Sequence, residues 1–151
     1  MRINWILKNK IALGDAPKNE IDINAIKVKG IKSILSLCSE EEIRIPEEKT
    51  NSKLIFRRFV LPDHKDPKLI TLDQVNNCLC IIEDLLKIGP CFIHCFAGVE
   101  RSPLICMAWL VKNENISLEN ALSYIMSIHK GTNPFQAQLN VLKKLWNIFF
   151  I

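Results

Sequence analysis

The chain has 151 residues and a formal net charge of +4, from 20 basic and 16 acidic side chains. Hydrophobic residues make up 48% and charged residues 24%, a balance that fits one globular domain over residues 1–151 and excludes a disordered or fibrous chain. The basic residues are scattered, which argues against a nucleic-acid partner, and no stretch approaches the roughly 18 consecutive apolar residues of a membrane span. The first residues lack a signal-peptide core, so we expect a cytoplasmic protein.

The first half of the chain predicts a hairpin, two further strands and one short helix. Apolar and polar residues alternate around a Lys8-Asn9-Lys10 corner, which is typical of a hairpin, and a short β-branched run near residue 35 is typical of a buried strand. The predicted elements are a hairpin over residues 3–17, a helix over 19–30, a strand over 31–38, an acidic helical turn or loop over 39–51, and a strand over 53–61.

The second half combines one strand with long helices. Thr71 and Gln74 form a capping-box pattern before a helix that ends at Gly89 and Pro90, and the apolar run over residues 91–95 predicts another buried strand. Three helical patterns follow. The order of strands and helices implies an α/β fold, with a central, mainly parallel sheet of four to five strands flanked by helices. Ligands of such sheets bind at the carboxyl ends of the strands.

The segment HCFAGVERSP, which begins at His94, lies at such a carboxyl end. A strand ends at Cys95, passes through a loop that contains Gly98 and enters a helix near Arg101, so backbone N–H groups converge on one point. The helix dipole and the guanidinium of Arg101 both favour an anion there, whether a phosphate or the thiolate of Cys95. The sequence therefore predicts a nucleophilic cysteine beneath a phosphate-binding loop.

Covalent catalysis at Cys95 also needs a proton donor for the departing oxygen. Asp63 is the candidate, because its loop follows the end of a predicted strand, and Asp66 and His64 are the alternatives. Ser102 lies close enough in sequence to donate a hydrogen bond to the sulfur when it becomes the leaving group.

These residues resemble the Cys-dependent protein tyrosine phosphatases, specifically their small dual-specificity branch. HCFAGVERS is similar to the family's His-Cys-x5-Arg-Ser/Thr loop, and Asp63 precedes Cys95 by 32 residues, a separation that resembles that branch. The likeness runs from WILKNKIALGDAP to NPFQAQLNVL, nearly the whole chain. It implies a protein tyrosine phosphatase-like fold, a phosphocysteine at Cys95 that water hydrolyses, and no metal or other cofactor.

The resemblance also implies a role for each site residue. Asp63 would act first as acid and then as base, and His94 would orient the loop and help keep Cys95 ionised. Some members carry a cysteine near the position of Cys38 that forms a disulfide with the nucleophile, so Cys38 is a candidate redox partner, with an inert buried thiol as the alternative. The phosphate-binding positions are Phe96, Ala97, Gly98, Val99, Glu100 and Arg101.

Glu100 departs from the family pattern, because many members carry Gly or another neutral residue there. A carboxylate that faced the cleft would repel phosphate. We expect Glu100 to face away, pair with a basic neighbour and brace the loop, since an unpaired negative charge is costly in an anion site. The other two histidines, His64 and His129, are expected at the surface.

The predicted function is hydrolysis of phosphotyrosine and phosphoserine/threonine in proteins, with a monomer favoured. The five residues between Cys95 and Arg101 contain no Lys or Arg, whereas an inositol phosphate specialist is expected to carry several there. The alternatives are a phosphoinositide or RNA 5′-phosphatase of the same fold, a catalytically silent phosphate-binding module and, with less support, a redox or sulfur-transfer protein.

Overall fold

A five-stranded sheet with helices on both faces forms the frame of the protein. We use a computed structural model, which describes residues 1–44 and 53–150. Residues 45–52, most of the predicted acidic loop, lie outside the described residues. The strands are β1 (Ile3–Leu7), β2 (Ile11–Gly14), β3 (Ser33–Ser36), β4 (Ile55–Arg58) and β5 (Cys91–His94), and the helices are α1 (Glu20–Val28), α2 (Leu72–Leu86), α3 (Arg101–Asn113), α4 (Leu118–Ile128) and α5 (Gln136–Phe150).

The strand order β1-β2-β5-β3-β4 confirms the predicted α/β fold with a mainly parallel sheet. Only the predicted hairpin pair, β1 and β2, is antiparallel among the paired strands of the described chain. Ser36 of β3 and Gly14 of β2 both lie in register with His94 of β5. The carboxyl ends of the three central strands therefore meet at one edge, directly before Cys95.

Buried side chains lie on both faces of the sheet, as central parallel strands require. Ile34 and Phe92 pack with Ile26 of α1 on one face. Leu35 and Ile93, one position along each strand, join the larger cluster formed with the other helices. Because side chains alternate across a strand, β5 anchors both cores and holds its own carboxyl end rigidly.

Helix α3 is the most buried helix of the described chain. Every residue from Arg101 to Val111 is buried, and the helix packs against α2, α4 and α5. By contrast, α2 buries one stripe and begins at the predicted capping box, in which Thr71 accepts from the Gln74 N–H and Gln74 reaches back to the Thr71 N–H. The loop before α3 is thus fixed between a central strand and a central helix. None of the described helices is long and apolar enough to cross a membrane.

The position of Phe92 in the smaller core leads to a stability prediction. Phe92 is fully buried, so Phe92→Ala removes a large apolar side chain and leaves a cavity, which should lower the free energy of unfolding by about 3–5 kcal/mol. Val28→Ala, at a side chain that is 88% exposed, should change it by less than about 0.5 kcal/mol. Urea titration monitored by circular dichroism measures both. Equal effects of the two substitutions would contradict this account of the core.

Candidate active site

The loop between β5 and α3, residues 95–101, is here called the phosphate loop. Gly98 lies within it with a φ of +68°, a conformation that favours glycine. A Cβ at this position would lie 3.0 Å from the Gly14 carbonyl group and 3.1 Å from Nε2 of His129. The loop therefore packs against the end of β2 so closely that glycine is required.

The carbonyl groups of the phosphate loop are bonded to residues outside it. The loop's peptide bonds are trans, so a carbonyl that points outward directs the following N–H group the opposite way. The N–H groups of residues 97–100 therefore point inward, as an anion site requires. The carbonyl oxygens of Phe96, Ala97, Gly98 and Val99 accept, in order, from the Ala16 N–H (3.2 Å), Arg2 Nη2 (2.9 Å), His129 Nε2 (2.8 Å) and the Asn133 N–H (2.8 Å).

Cys95 lies at the bottom of a cavity of about 390 Å³ whose wall is formed largely by the phosphate loop. The residue is only 2% exposed, and its Sγ lies 3.2 Å from Oγ of Ser102. Of the three candidate proton donors, Asp63 and His64 line this cavity, whereas Asp66 lines two neighbouring clefts. The structure thus places Cys95 and Asp63 around one cavity, with Ser102 fully buried against the Cys95 sulfur.

Arg101 is held by Glu42 and by two backbone carbonyls. Its Nη2 donates to Glu42 Oε1 at 2.7 Å, and its Nη1 lies 3.1 Å from Glu42 Oε2 and 3.3–3.4 Å from the carbonyls of Leu37 and Leu61. The Nε of Arg101 is buried and has no hydrogen-bond partner among the described residues. Burial alone would lower the pKa of Arg101, but the Glu42 carboxylate, together with the negative charges of Cys38 and Cys95, more than compensates and raises it above its ordinary value. The guanidinium is therefore a fixed charge with a donor left for a ligand.

Glu42 was missed by the sequence reasoning. It belongs to the acidic run 40–42 after β3, and the only sequence signal was its place near the carboxyl end of a central strand. Ser39 and Glu42 bond each other's backbone N–H groups, which turns the Glu42 carboxylate toward Arg101. Burial would raise the pKa of Glu42, but hydrogen bonds from Arg101 and Ser39 hold it below its ordinary value.

His94 is fully buried beneath the phosphate loop. Its Nδ1 lies 2.9 Å from the Cys95 carbonyl, which can only accept, so Nδ1 carries the proton. Its Nε2 is buried without a partner among the described residues, and its ring stacks on Phe92. Protonation at Nε2 would bury an unpaired N–H, and burial accordingly lowers the pKa of His94 to about 4. His94 is thus a neutral donor that orients the Cys95 peptide group.

The expectation that His129 lies at the surface was wrong. His129 is fully buried, with Nε2 bonded to the Gly98 carbonyl and Nδ1 2.6 Å from Oδ1 of Asn4. Burial lowers its pKa below the ordinary value. Arg2, beside it, supports the neighbouring carbonyl of Ala97. Arg2 and His129 are both far from the phosphate loop in sequence, so no local sequence pattern indicated that they contact it.

Glu100 faces the loop that carries Asp63. Its Oε1 accepts from the backbone N–H of His64 at 2.8 Å, and its Oε2 lies 3.5 Å from Nδ1 of the same histidine. Glu100 is 8% exposed and still forms part of the cavity wall. His64 itself is half-exposed, so the expectation of a surface histidine omitted its contact with Glu100.

The remaining cysteine of interest, Cys38, is fully buried two residues beyond the end of β3. Burial raises the pKa of the Cys38 thiol to about 12. The charge of Cys95 also raises this pKa, whereas the positive charge of Arg101 lowers it. Among the described residues, no group of three or more His, Cys, Asp or Glu side chains is arranged to hold a metal ion.

Comparison with known proteins gives consistent similarities. The family model for the dual specificity phosphatase catalytic domain matches residues 11–145. Tyrosine-protein phosphatase yvh1 of Schizosaccharomyces pombe is 40% identical over 119 residues, 77% of this chain and 32% of that protein. Dual specificity protein phosphatase 1 of Arabidopsis thaliana is 26% identical over 125 residues, 80% of this chain and 60% of that protein. The chain thus spans less than two thirds of either relative.

Solved structures show the same fold. The crystal structure of PTPMT1 superposes with a TM-score of 0.82 at 21% identity, over 98% of this chain and 96% of that one. The human tyrosine phosphatase-like serine/threonine/tyrosine-interacting protein also gives a TM-score of 0.82, at 19% identity, over 99% of this chain and 98% of that one. At these identities the likeness establishes the architecture.

The buried, neutral His94 leads to a prediction about pH. The unfolded chain binds a proton at His94 as the pH falls through about 6.5, whereas the folded protein does so only near about 4. The stabilisation is therefore complete above pH 6.5 and is lost as the pH falls toward 4, by on the order of 3 kcal/mol. His94→Asn keeps a donor but cannot titrate, so its unfolding free energy should fall less between pH 7 and pH 4 by that amount. Identical pH dependence in urea titrations of the two proteins would contradict this assignment.

Proposed function

The chain belongs to the dual specificity phosphatase family, and on that premise we propose that it hydrolyses phosphomonoesters through a phosphocysteine at Cys95. One observation carries the proposal. Cys95 lies beneath a ring of inward-pointing N–H groups, created by the outward bonds of four successive carbonyls, and the unpartnered Nε of Arg101 adds a charged donor. Together they suit the three equatorial oxygens of a phosphoryl group in transfer.

In the first step, the Cys95 thiolate attacks phosphorus and forms a P–S bond while the bond from phosphorus to the ester oxygen breaks. Asp63 donates its proton to that oxygen, so a neutral alcohol or phenol departs. The backbone N–H groups of the phosphate loop and the guanidinium of Arg101 are fixed before substrate binds. Little reorganisation is therefore needed when charge develops on the phosphoryl oxygens.

In the second step, water attacks phosphorus and the P–S bond breaks. Asp63, now a carboxylate, accepts a proton from the water, and inorganic phosphate is released. The sulfur departs as a thiolate, which Ser102 stabilises by donating a hydrogen bond from its Oγ, 3.2 Å away. His94 holds the Cys95 peptide group in place throughout. No step of this mechanism uses a metal or another cofactor.

The proposed substrates are proteins that carry phosphotyrosine or phosphoserine/threonine. Phe96, half-exposed in the cavity wall, gives an apolar surface for an aryl group. A crystal structure of PTPMT1 contains PI(5)P, so phosphoinositides are an alternative, as are RNA 5′ phosphates. The phosphate loop offers no Lys and, besides Arg101, no further Arg for additional phosphates, which favours the protein substrate.

A catalytically silent phosphate-binding module is the second candidate. The observation in its favour is the carboxylate of Glu100 in the cavity wall, which in such a module would weaken turnover while Arg101 still bound phosphate. Measurement of turnover separates the two candidates, because a binding module retains phosphate or vanadate without releasing product.

The mechanism predicts three results with p-nitrophenyl phosphate between pH 5 and 8. Activity of freshly reduced protein should survive EDTA, because no step uses a metal. Cys95→Ser should abolish turnover, because it removes the nucleophile, and Asp63→Asn should lower kcat by about 10²–10⁴-fold, because it removes the proton donor. Release of p-nitrophenol, followed by absorbance, measures all three.

Asp84→Asn, at an exposed carboxylate on α2, is the matched control and should leave kcat unchanged. A wild-type protein with no turnover, or a Cys95→Ser protein with full turnover, would contradict the mechanism. An inert wild type that retained vanadate would favour the phosphate-binding module.

We also propose Cys38 as a redox partner of Cys95. Peroxide would oxidise the Cys95 thiolate to a sulfenic acid and release hydroxide, and the Cys38 thiol would then attack that sulfur, form a disulfide and release water. Cys38 supports this role because it is a free thiol two residues beyond the end of β3, and Ser36 at that end lies in register with His94, the residue before Cys95.

This redox proposal predicts a Cys38–Cys95 disulfide after mild peroxide treatment, detected by peptide mass spectrometry and reversed by a thiol reductant. Cys38→Ala should instead accumulate Cys95 as sulfinic acid and lose recoverable activity, whereas Cys78→Ala, at a buried thiol of α2, should behave as wild type. Wild-type Cys95 found only as sulfinic acid would count against the pairing.

A further inference from the structure

We propose that Glu100 is a positioning residue that fastens the acid loop, residues 62–68, to the phosphate loop and so fixes where Asp63 delivers its proton. The inference rests on the proposed function, because it concerns the same proton transfer. It assigns a use to the one acidic residue within the phosphate loop.

The side chain of Glu100 does not form the hydrogen bond that is typical of its position at the start of α3. Glu100 is the N-cap residue of α3, and an N-cap side chain commonly accepts from the first turn of its own helix. Here it makes no such bond. Its carboxylate instead accepts from the backbone N–H of His64 at 2.8 Å, with the His64 imidazole 3.5 Å from the other oxygen. The first-turn N–H groups of α3 are thereby left without a side-chain cap, available to a bound anion.

The bond from Glu100 lies immediately beside the proposed acid. The N–H of His64 belongs to the peptide group that follows Asp63, so the bond fixes the plane from which the Asp63 side chain extends. The acid loop's own hydrogen bonds are local. Lys65 N–H donates to the Asp63 carboxylate at 2.8 Å, and Asp66 N–H donates to the Asp63 carbonyl at 3.1 Å. These bonds set the shape of the acid loop but not its distance from Cys95.

A third segment, which contains Asn133 and Phe135, contacts both the acid loop and the phosphate loop. Phe135 lies with its ring centroid 5.9 Å from that of His64, and the neighbouring Asn133 donates to the Val99 carbonyl at 2.8 Å. His64 thus contacts both the Glu100 carboxylate and the Phe135 ring. The segment that carries Phe135 is itself bonded to the phosphate loop, so it contacts both loops.

Substitutions at position 100 can separate the effect of the length and acceptor oxygen of the side chain from the effect of its negative charge. The acceptor on the His64 backbone N–H can be supplied equally by an amide oxygen, so Glu100→Gln should retain positioning. Glu100→Asp keeps the charge but withdraws the acceptor by one methylene, and Glu100→Ala removes it. We expect Glu100→Gln to resemble wild type and the other two variants to share one defect.

That defect is measured by comparing leaving groups. Phenyl phosphate needs a proton on its departing oxygen, whereas the stabilised phenolate of dinitrophenyl phosphate departs without one. Glu100→Ala and Glu100→Asp should therefore lower kcat/KM, which reports the first step and not the hydrolysis of the phosphocysteine, for phenyl phosphate by about ten- to a hundredfold, but for dinitrophenyl phosphate by less than about twofold. In an Asp63→Asn background the same substitutions should cause no further loss with phenyl phosphate, because the proton donor is already absent. Glu83→Gln, at an exposed glutamate of α2, is the matched control and should leave both rates unchanged.

Two failures are distinguishable. An active wild type in which Glu100→Ala lowers both rates equally, and lowers them further in the Asp63→Asn background, would overturn the inference alone and assign Glu100 to the phosphate loop. A reduced wild type inert on both substrates would overturn the proposed function and the inference with it. If Glu100→Ala does not fold, Glu100→Asp provides the same test.

Amide hydrogen exchange of residues 62–68 adds a measurement that does not depend on turnover. Faster exchange in Glu100→Asp than in Glu100→Gln supports the positioning bond, and equal exchange overturns it.

Discussion

The outward bonding of the phosphate-loop carbonyls is the constraint on which the rest of the site depends. A peptide group has a donor and an acceptor on opposite sides, so a loop can present its N–H groups to one point only if its carbonyls find partners elsewhere. This protein supplies those partners from four residues in three parts of the chain: residue 2, residue 16, and His129 and Asn133 in the segment after α4. The hairpin, the sheet edge and the segment after α4 are thus parts of the site, although none of them touches the cavity through these bonds.

The charges of the site follow from the same need for compensation. Arg101 is 4% exposed, and a buried guanidinium without a partner would be strongly unfavourable. Glu42 balances it through Nη1 and Nη2, while Nε stays without a partner among the described residues. The pair therefore keeps Arg101 charged and immobile before substrate binds. A fixed donor of this kind contributes to the transition state without first losing conformational freedom.

The sequence predicted the site where chemistry and local pattern coincide. Cys95, Gly98 and Arg101 are separated by a few residues after an apolar run, and the turn they form needs only local geometry. Thr71 and Gln74 likewise form a capping box within one turn of α2. His129 and Glu42 could not be found in this way, because their roles arise from contacts with residues 31 and 59 positions away. The surface expectation for His129 was wrong because its burial is decided by the packing of α4 against β1 and by its bond to the Gly98 carbonyl.

Glu100 shows how a residue that is unfavourable for one interaction can serve another. A carboxylate in an anion site raises the cost of bringing in phosphate unless its charge is held by other donors. The His64 N–H and imidazole provide those donors, so the negative charge lies between the two loops and not at the focus of the phosphate-loop N–H groups. The same bonds leave the α3 amino terminus free of a side-chain cap, which a neutral N-cap residue such as Ser would occupy. The buried side chain of Glu100 then joins the phosphate loop, which binds the anion, to the acid loop, which delivers a proton beside it. Its acceptor oxygen and its length, more than its charge, determine this positioning role.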